Sequence, residues 1–139
     1  MACPECGAVA SGDKTCREKF DEMLALEFES PSVFGAVHHV TVICFNLQHP
    51  GTFTDDAVAW MRTSLRSIVE DGLSPAELRK GAGKNFKGKT KIRRATPAEP
   101  ARTNHWSMSV LDVRTGDPEA YVKDAMAWAT SILNDLEVK

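Results

Sequence analysis

The residues able to do chemistry are concentrated at the start of the chain, where Cys3-Pro4-Glu5-Cys6-Gly7 is followed by Cys16, nine intervening residues after Cys6. Two thiolates two residues apart, on a turn that Pro4 and Gly7 help to shape, can grip one tetrahedral metal ion as a knuckle, and zinc is the expected ion. Cys16 offers a third ligand at or near a helix N-terminus, where the helix dipole favours the thiolate. A fourth ligand has to come from Cys44 or from His38, His39, His49 and His105. Flanked by Ile43 and Phe45, Cys44 reads as a small buried hydrophobe rather than a ligand.

Helix geometry separates the histidines. His38 and His39 are adjacent, so on a helix they point about 100° apart and cannot both face one ion. His39 and His49 are ten residues apart, roughly 15 Å along a helix, too far to share an ion. If the first two helices fold back on each other at Ser30-Pro31, Cys16 lies about 21 Å from the turn, His39 about 12 Å and His49 about 27 Å. The segment carrying Cys3 and Cys6 extends beyond Cys16. The expected metal ligands are therefore Cys3, Cys6, Cys16 and His49, which leaves His39 or His38 as a candidate catalytic proton acceptor. His105, beside Trp106, carries no such constraint and is open as ligand or base.

The elements that must position these groups are helical. Phe20, Met23, Leu24 and the pair Glu27-Phe28 recur at helical spacing after Cys16, with Asp13 or Thr15 as cap. Ser30-Pro31 stops that helix and can start another over 33–48, the most apolar stretch of the chain, which ends at His49-Pro50-Gly51. Thr52 or Thr54 caps a third helix with the stripe Ala57, Val58, Trp60, Met61, Leu65, Ile68 and Val69, stopped by Asp71-Gly72. Ser74-Pro75-Ala76-Glu77 has capping-box logic for a short fourth helix. Residues 79–104 lack periodicity and read as a long basic loop, and the piece beginning at His105 as a short extended segment. Asp117-Pro118-Glu119 opens a last helix whose face is built from Tyr121, Val122, Ala125, Trp128, Ile132 and Leu136. The expected fold is all-α: a compact bundle of about four long helices in one domain, 1–139, with a metal-binding loop at 1–15, a helical core at 16–78, a basic mobile loop at 79–104, and an extended piece plus C-terminal helix at 105–139.

Composition narrows the partners. A chain of 139 residues can bury a core without needing a metal merely because it is small. The net charge of -2 offers no global attraction to nucleic acid. The longest apolar run, 40–47, falls far short of the roughly 20 residues of a membrane span. Cysteines stand where a signal peptide would carry Lys or Arg and then an apolar stretch, so a cytoplasmic, thiol-reducing home is expected, which favours metal over disulfide. Arg79, Lys80, Lys84, Lys87, Lys89, Lys91, Arg93 and Arg94 form a cationic run without an acid. Within it, Gly83-Lys84-Asn85-Phe86-Lys87-Gly88-Lys89-Thr90 satisfies the letters of a phosphate-binding loop but lacks the strand before it and the helix after it, so nucleotide hydrolysis is not expected. The charge itself suits a small anionic ligand, with Lys84, Lys89 and Arg93 as its contacts.

These residues also carry a resemblance. Cys3-Pro4-Glu5-Cys6-Gly7, Thr15-Cys16-Arg17, and Val37-His38-His39-Val40-Thr41-Val42 leading to Leu47-Gln48-His49-Pro50 make the chain similar to a family of small bacterial proteins known only as a domain of unknown function. Trp106 to Asp112, Asp117-Pro118-Glu119 and Trp128-Ala129 extend the match over most of the chain. The resemblance implies no activity, but it places His38, His39 and His49 in one signature with the cysteines. Three functions are compatible with these features. The first is a zinc-binding helical protein whose metal is structural. The second is a zinc-dependent lyase or hydrolase acting on a small anionic substrate, in which the ion keeps a water and His39 or His38 moves its proton. The third is an RNA- or partner-binding adaptor using the cationic run.

Overall fold

The computed structural model describes residues 2–9, 15–85, 92–99 and 105–137, with the side chains of 82–85 left aside. Among the described residues the regular secondary structure is helical: α1 (Cys16–Glu29), α2 (His38–Gln48), α3 (Asp55–Asp71), α4 (Pro75–Asn85) and α5 (Pro118–Glu137), joined in part by 3-10 turns at Phe34–Val37, Pro50–Thr52 and Val110–Asp112. The all-α bundle expected from the periodicity is the fold observed. No helix of the described residues is long and apolar enough to cross a membrane.

Local chemistry sets the helix ends. Thr15 caps α1 in a capping box, its hydroxyl accepting from the Glu18 N–H while the Glu18 carboxylate accepts from the Thr15 N–H. Asp13, the other candidate cap, lies outside the described residues. Thr54 caps α3 through the Ala57 N–H, and Gly72 ends that helix in the left-handed conformation at φ 70°. Ser74 and Glu77 form the box at α4, and the Asp117 carboxylate accepts from the Ala120 N–H at the start of α5.

α2 lies at the centre, packed against α1, α3 and α5. Val40, Ile43, Cys44, Phe45 and Leu47 join Phe20 and Met23 of α1, Ala57, Met61, Leu65 and Ile68 of α3, and Tyr121, Ala125, Trp128, Ala129 and Ile132 of α5 in one apolar core. Cys44 is fully buried in it, and burial pushes its thiol well above the ordinary range, as befits a small hydrophobe. Gln48 is also fully buried. Its amide donates to the Met108 carbonyl at 2.7 Å and accepts from the Trp128 indole N–H at 3.2 Å, tying α2 to the 105–113 segment and to α5.

The structure departs from the sequence expectations in four places. The helix expected over 33–48 begins only at His38, after a turn at 31–33 and the 3-10 turn Phe34–Val37. The cause is the tightness of the corner: a Cβ on Gly35 would lie 2.7 Å from the Glu27 carbonyl oxygen, so the backbones touch there and the chain must reverse in a narrow 3-10 turn. Second, α1 turns Glu27 inward, 3% exposed, and Phe28 outward, 88% exposed. Third, α4 runs through Arg79 to Asn85, where a loop was expected, because Arg, Lys and Ala sustain a helix despite two glycines that each cost about 1 kcal/mol. The helical backbone at Gly83 to Asn85 also removes the strand-to-loop entry a phosphate-binding loop requires. Fourth, the segment at 105–111 is not extended throughout: Ser109 is extended, at φ -132° and ψ 177°, but Val110 and Leu111 are not. It closes into the 3-10 turn Val110–Asp112, with Ser109 and Asp112 exchanging capping hydrogen bonds.

Two substitutions test this architecture. Gly35→Ala forces the α1–α2 corner apart and lowers stability by about 1–3 kcal/mol in urea unfolding. Gln48→Leu leaves the Trp128 N–H and the Met108 carbonyl buried without partners and costs about 2–5 kcal/mol in the same measurement.

Candidate metal centre

The N-terminal residues form a compact turn. The Cys3 N–H donates to the Ala8 carbonyl at 2.8 Å, the Gly7 N–H donates to the Cys3 carbonyl at 2.9 Å, and Ala2 and Val9 pair as an antiparallel bridge. Gly7 sits at φ 77°, a conformation that a side chain disfavours, and this lets the turn close. The Ala8 N–H points at the Cys6 sulfur at 3.5 Å. Both cysteines thus project from one tight loop, Cys6 buried and Cys3 half-buried.

Antiparallel packing brings the start of α1 beside the end of α2. Cys16 is the first residue of α1, and His49 caps the C-terminus of α2. The ligating atoms of Cys3, Cys6, Cys16 and His49 all lie within 4.8 Å of one another, close enough to hold a metal ion. The Nε2 of His49 is 3.6 Å from the sulfur of Cys3 and 3.6 Å from that of Cys16.

The surroundings prepare these donors. The Nδ1 of His49 lies 2.7 Å from the Phe45 carbonyl oxygen, which can only accept, so Nδ1 carries the proton and the Nε2 lone pair faces the sulfurs. Burial lowers the His49 pKa and keeps the ring neutral, the form that binds metal. The His49 ring stacks on Phe45 at 4.0 Å, and Phe45 stacks on Phe20 at 4.0 Å, so an aromatic column fixes its angle. Glu5 accepts from the Gly51 N–H at 3.2 Å and fastens the knuckle to the turn after α2.

The thiols respond to crowding. Burial pushes Cys6 and Cys16 up; Cys16 and Cys3 add to the effect at Cys6, and Cys3 adds to it at Cys16, where Cys6 opposes it. Burial also opposes ionisation of Cys3, but the backbone N–H groups of Cys6 and Glu5 and the other thiols more than offset it and bring Cys3 down. Three sulfurs this close cannot all be thiolates without a cation among them, and a divalent ion removes that conflict. The donor set therefore fits a metal.

The other candidate residues lie elsewhere. His38 and His39 stand at the opposite end of α2 from His49, about 15 Å along the helix, beyond reach of a water on an ion held by the four donors. His105 is exposed. Arg93 donates to the Thr52 hydroxyl at 3.4 Å and lies over the Phe53 ring at 5.0 Å, held against the turn between α2 and α3. Lys89 lies outside the described residues, as does the side chain of Lys84. A cleft beside the knuckle is lined by Glu5, Pro50, Gly51, Asp55, Arg62 and Arg94 among others, and by none of the four donors.

Sequence reasoning missed the supporting residues Phe45 and Glu5, whose roles depend on a backbone carbonyl and a long-range contact. It also missed a second polar cluster around Glu27. The available signal was a carboxylate standing in the apolar stripe of α1, one turn after Met23.

Comparison with known proteins gives a family without a function. Residues 1–137 match a family of unknown function (DUF5946), and the chain belongs to that family. No curated protein and no solved structure matches it.

Cobalt titration tests the donor set. In the intact chain Co(II) develops a thiolate-to-metal absorption band. Cys16→Ser and His49→Ala each weaken binding by more than the about 10–100-fold typical of outer-shell changes. Cys44→Ser, away from the donors, leaves the band unchanged per bound metal.

Proposed function

We propose that this member of a family of unknown function is a zinc-binding helical protein in which an ion held by Cys3, Cys6, Cys16 and His49 fastens the N-terminal knuckle across the α1–α2 pair. The observation that carries this reading is the pair of 3.6 Å separations from His49 Nε2 to the sulfurs of Cys3 and Cys16. With zinc–sulfur bonds of about 2.3 Å and zinc–nitrogen bonds of about 2.0–2.1 Å, the sulfur–nitrogen edge of a tetrahedron is about 3.6 Å. Three thiolates and one imidazole also form a donor set that selects zinc over hard cations.

The ion's role in this reading is structural. Four protein donors complete a tetrahedron, whereas catalytic zinc keeps one position for water. The helix ends assist, since the positive N-terminus of α1 favours the Cys16 thiolate and the negative C-terminus of α2 favours a cation beside His49. Without the ion, the Glu5 contact to the Gly51 N–H, the Cys3–His49 contact and the packing of Cys6 hold the first described residues to the bundle. A thiol-reducing compartment such as the cytoplasm suits a centre of this kind.

Zinc removal is the test. Free zinc at about 1,000 times its dissociation constant contributes about 4 kcal/mol, which for a chain of this size is on the order of 10 °C in melting temperature. Chelation should therefore lower the melting temperature of the wild-type protein by that amount, and Cys6→Ser should melt at the lower temperature with or without chelator. An unchanged melting temperature after verified removal of the metal overturns the proposal.

A further inference from the structure

The opposite end of α2 holds a second constellation, independent of the zinc reading. Glu27 of α1 is buried, its side chain 1% exposed, and no Lys or Arg pairs with it among the described residues. Its carboxylate gathers three donors: Nδ1 of His38 at 2.6 Å, the Thr41 hydroxyl at 2.7 Å, and the Tyr121 hydroxyl of α5. Burial, and then Glu27 itself, pushes the Tyr121 phenol far up, so it stays protonated and donates. Thr41 and Tyr121 are fully buried, whereas the His38 side chain is 56% exposed. The carboxylate is thus locked from behind and presents one oxygen to an imidazole at the surface.

This arrangement fixes the chemistry of His38. A carboxylate oxygen accepts, so Nδ1–H points inward and Nε2 is left with its lone pair outward. A carboxylate that orients an imidazole in this tautomer and stabilises the imidazolium is the supporting half of a general-base pair. A bundle needing only a hydrogen-bonded tie between α1, α2 and α5 has no use for a half-exposed histidine as third donor.

His38 also lines a pocket. Val42 and Ile43 of α2, Trp60 and Met61 of α3, Phe53 and Leu78 enclose about 280 Å³ of mainly apolar space, with His38, His39 and Asn46 as its polar groups. That volume is near the lower end of small-molecule sites, about 300–1,000 Å³. His39 faces the same space half-buried, and burial followed by the neighbouring His38 holds it below the ordinary imidazole range, as a neutral hydrogen-bonding group. Among the described residues no Ser or Cys lines the pocket, so the nucleophile available to a base there is water.

We propose that Glu27 and His38 form a general-base pair that hydrolyses small esters with an apolar acyl chain, bound in the pocket between α2, α3 and α4. Nε2 of His38 takes a proton from water as the water oxygen bonds to the ester carbonyl carbon. Collapse of the tetrahedral adduct breaks the bond to the alcohol oxygen, and the imidazolium returns its proton to the departing oxygen, giving acid and alcohol. His38 is the catalytic residue and Glu27 its positioning residue.

The test uses the full chain with its metal content verified and p-nitrophenyl butyrate as substrate. Wild-type protein should turn over saturably and faster than equimolar free imidazole. His38→Asn keeps a donor to Glu27 but has no basic nitrogen, and should lower kcat about 100-fold with KM changed less than about twofold. Glu27→Gln should lower kcat about 10-fold or more and abolish the downfield Nδ1 proton resonance of His38 seen by NMR in the wild type. His105→Ala should match wild type. If Glu27→Gln does not fold, His38→Asn and the wild-type Nδ1 resonance decide. A wild-type rate equal to that of free imidazole, or an undiminished rate in His38→Asn, overturns the proposal.

Discussion

The close approach of two backbones at the α1–α2 corner governs most of this structure. Gly35 lies so near the Glu27 carbonyl that nothing larger fits, and the 3-10 turn Phe34–Val37 lets the chain reverse within a few residues of Ser30. A corner that tight makes α1 and α2 run back along each other. Antiparallel neighbours of nearly equal length bring the N-terminus of the first beside the C-terminus of the second, which is why Cys16 and His49, 33 residues apart in sequence, meet at 3.6 Å. The same corner presses Glu27 against the first turn of α2, where His38 and Thr41 reach its carboxylate. One steric constraint thus sets the geometry at both ends of α2.

Those two ends are chemically distinct, and the helix between them keeps them apart. At its C-terminus, sulfur and imidazole are arranged for a soft cation, with the donors turned toward one another and away from the neighbouring cleft. At its N-terminus, a carboxylate and a half-exposed imidazole share a hydrogen bond, and that imidazole's residue also lines an apolar pocket. The middle of α2 carries Val40, Ile43, Cys44 and Phe45, which exclude water from the helix–helix contacts. The two ends can therefore be separated: the cluster of Cys3, Cys6, Cys16 and His49, close enough to hold a metal ion, joins the chain's first residues to α1 and α2, while the cluster around Glu27 draws its rigidity from α1, α2 and α5.

That Cys3, Cys6, Cys16 and His49 come together could be read from the sequence because each is constrained by short-range spacing or by helix rise. Cys3 and Cys6 announce themselves by their separation, Cys16 by its place before an amphipathic helix, and His49 by arithmetic on the length of two antiparallel segments. The cap at Ser74 was legible, and those at Thr15 and Thr54 each as one of two candidates, since capping is a local exchange of hydrogen bonds. Glu27 was not, because adjacent positions on a helix differ by about 100° and the periodicity of α1 leaves open whether Glu27 or Phe28 faces inward. The choice is made by partners on α2 and on α5, and Tyr121 lies 94 residues away. The late start of α2 is set by the clash at Gly35 rather than by any propensity, and the continuation of α4 follows from helix-forming side chains that outweigh its glycines.

Buried polar groups explain why the apolar helices settle into one register. Hydrophobic contacts between α2 and α5 are non-directional, and leucine-like side chains tolerate sliding by a turn. Gln48 and Glu27 do not tolerate it. A one-turn slip of α5, about 5.4 Å, would take the Trp128 N–H from Gln48 and the Tyr121 hydroxyl from Glu27 together, leaving an amide oxygen and a carboxylate short of donors in the core. The penalties fall near opposite ends of α2, so no tilt of α5 that restores one contact restores the other as well. Since the residue after Gln48 is the imidazole of the cluster able to hold a metal ion, and one of the donors to Glu27 is the surface histidine, the hydrogen bonds that fix helix register also fix the two groups able to do chemistry.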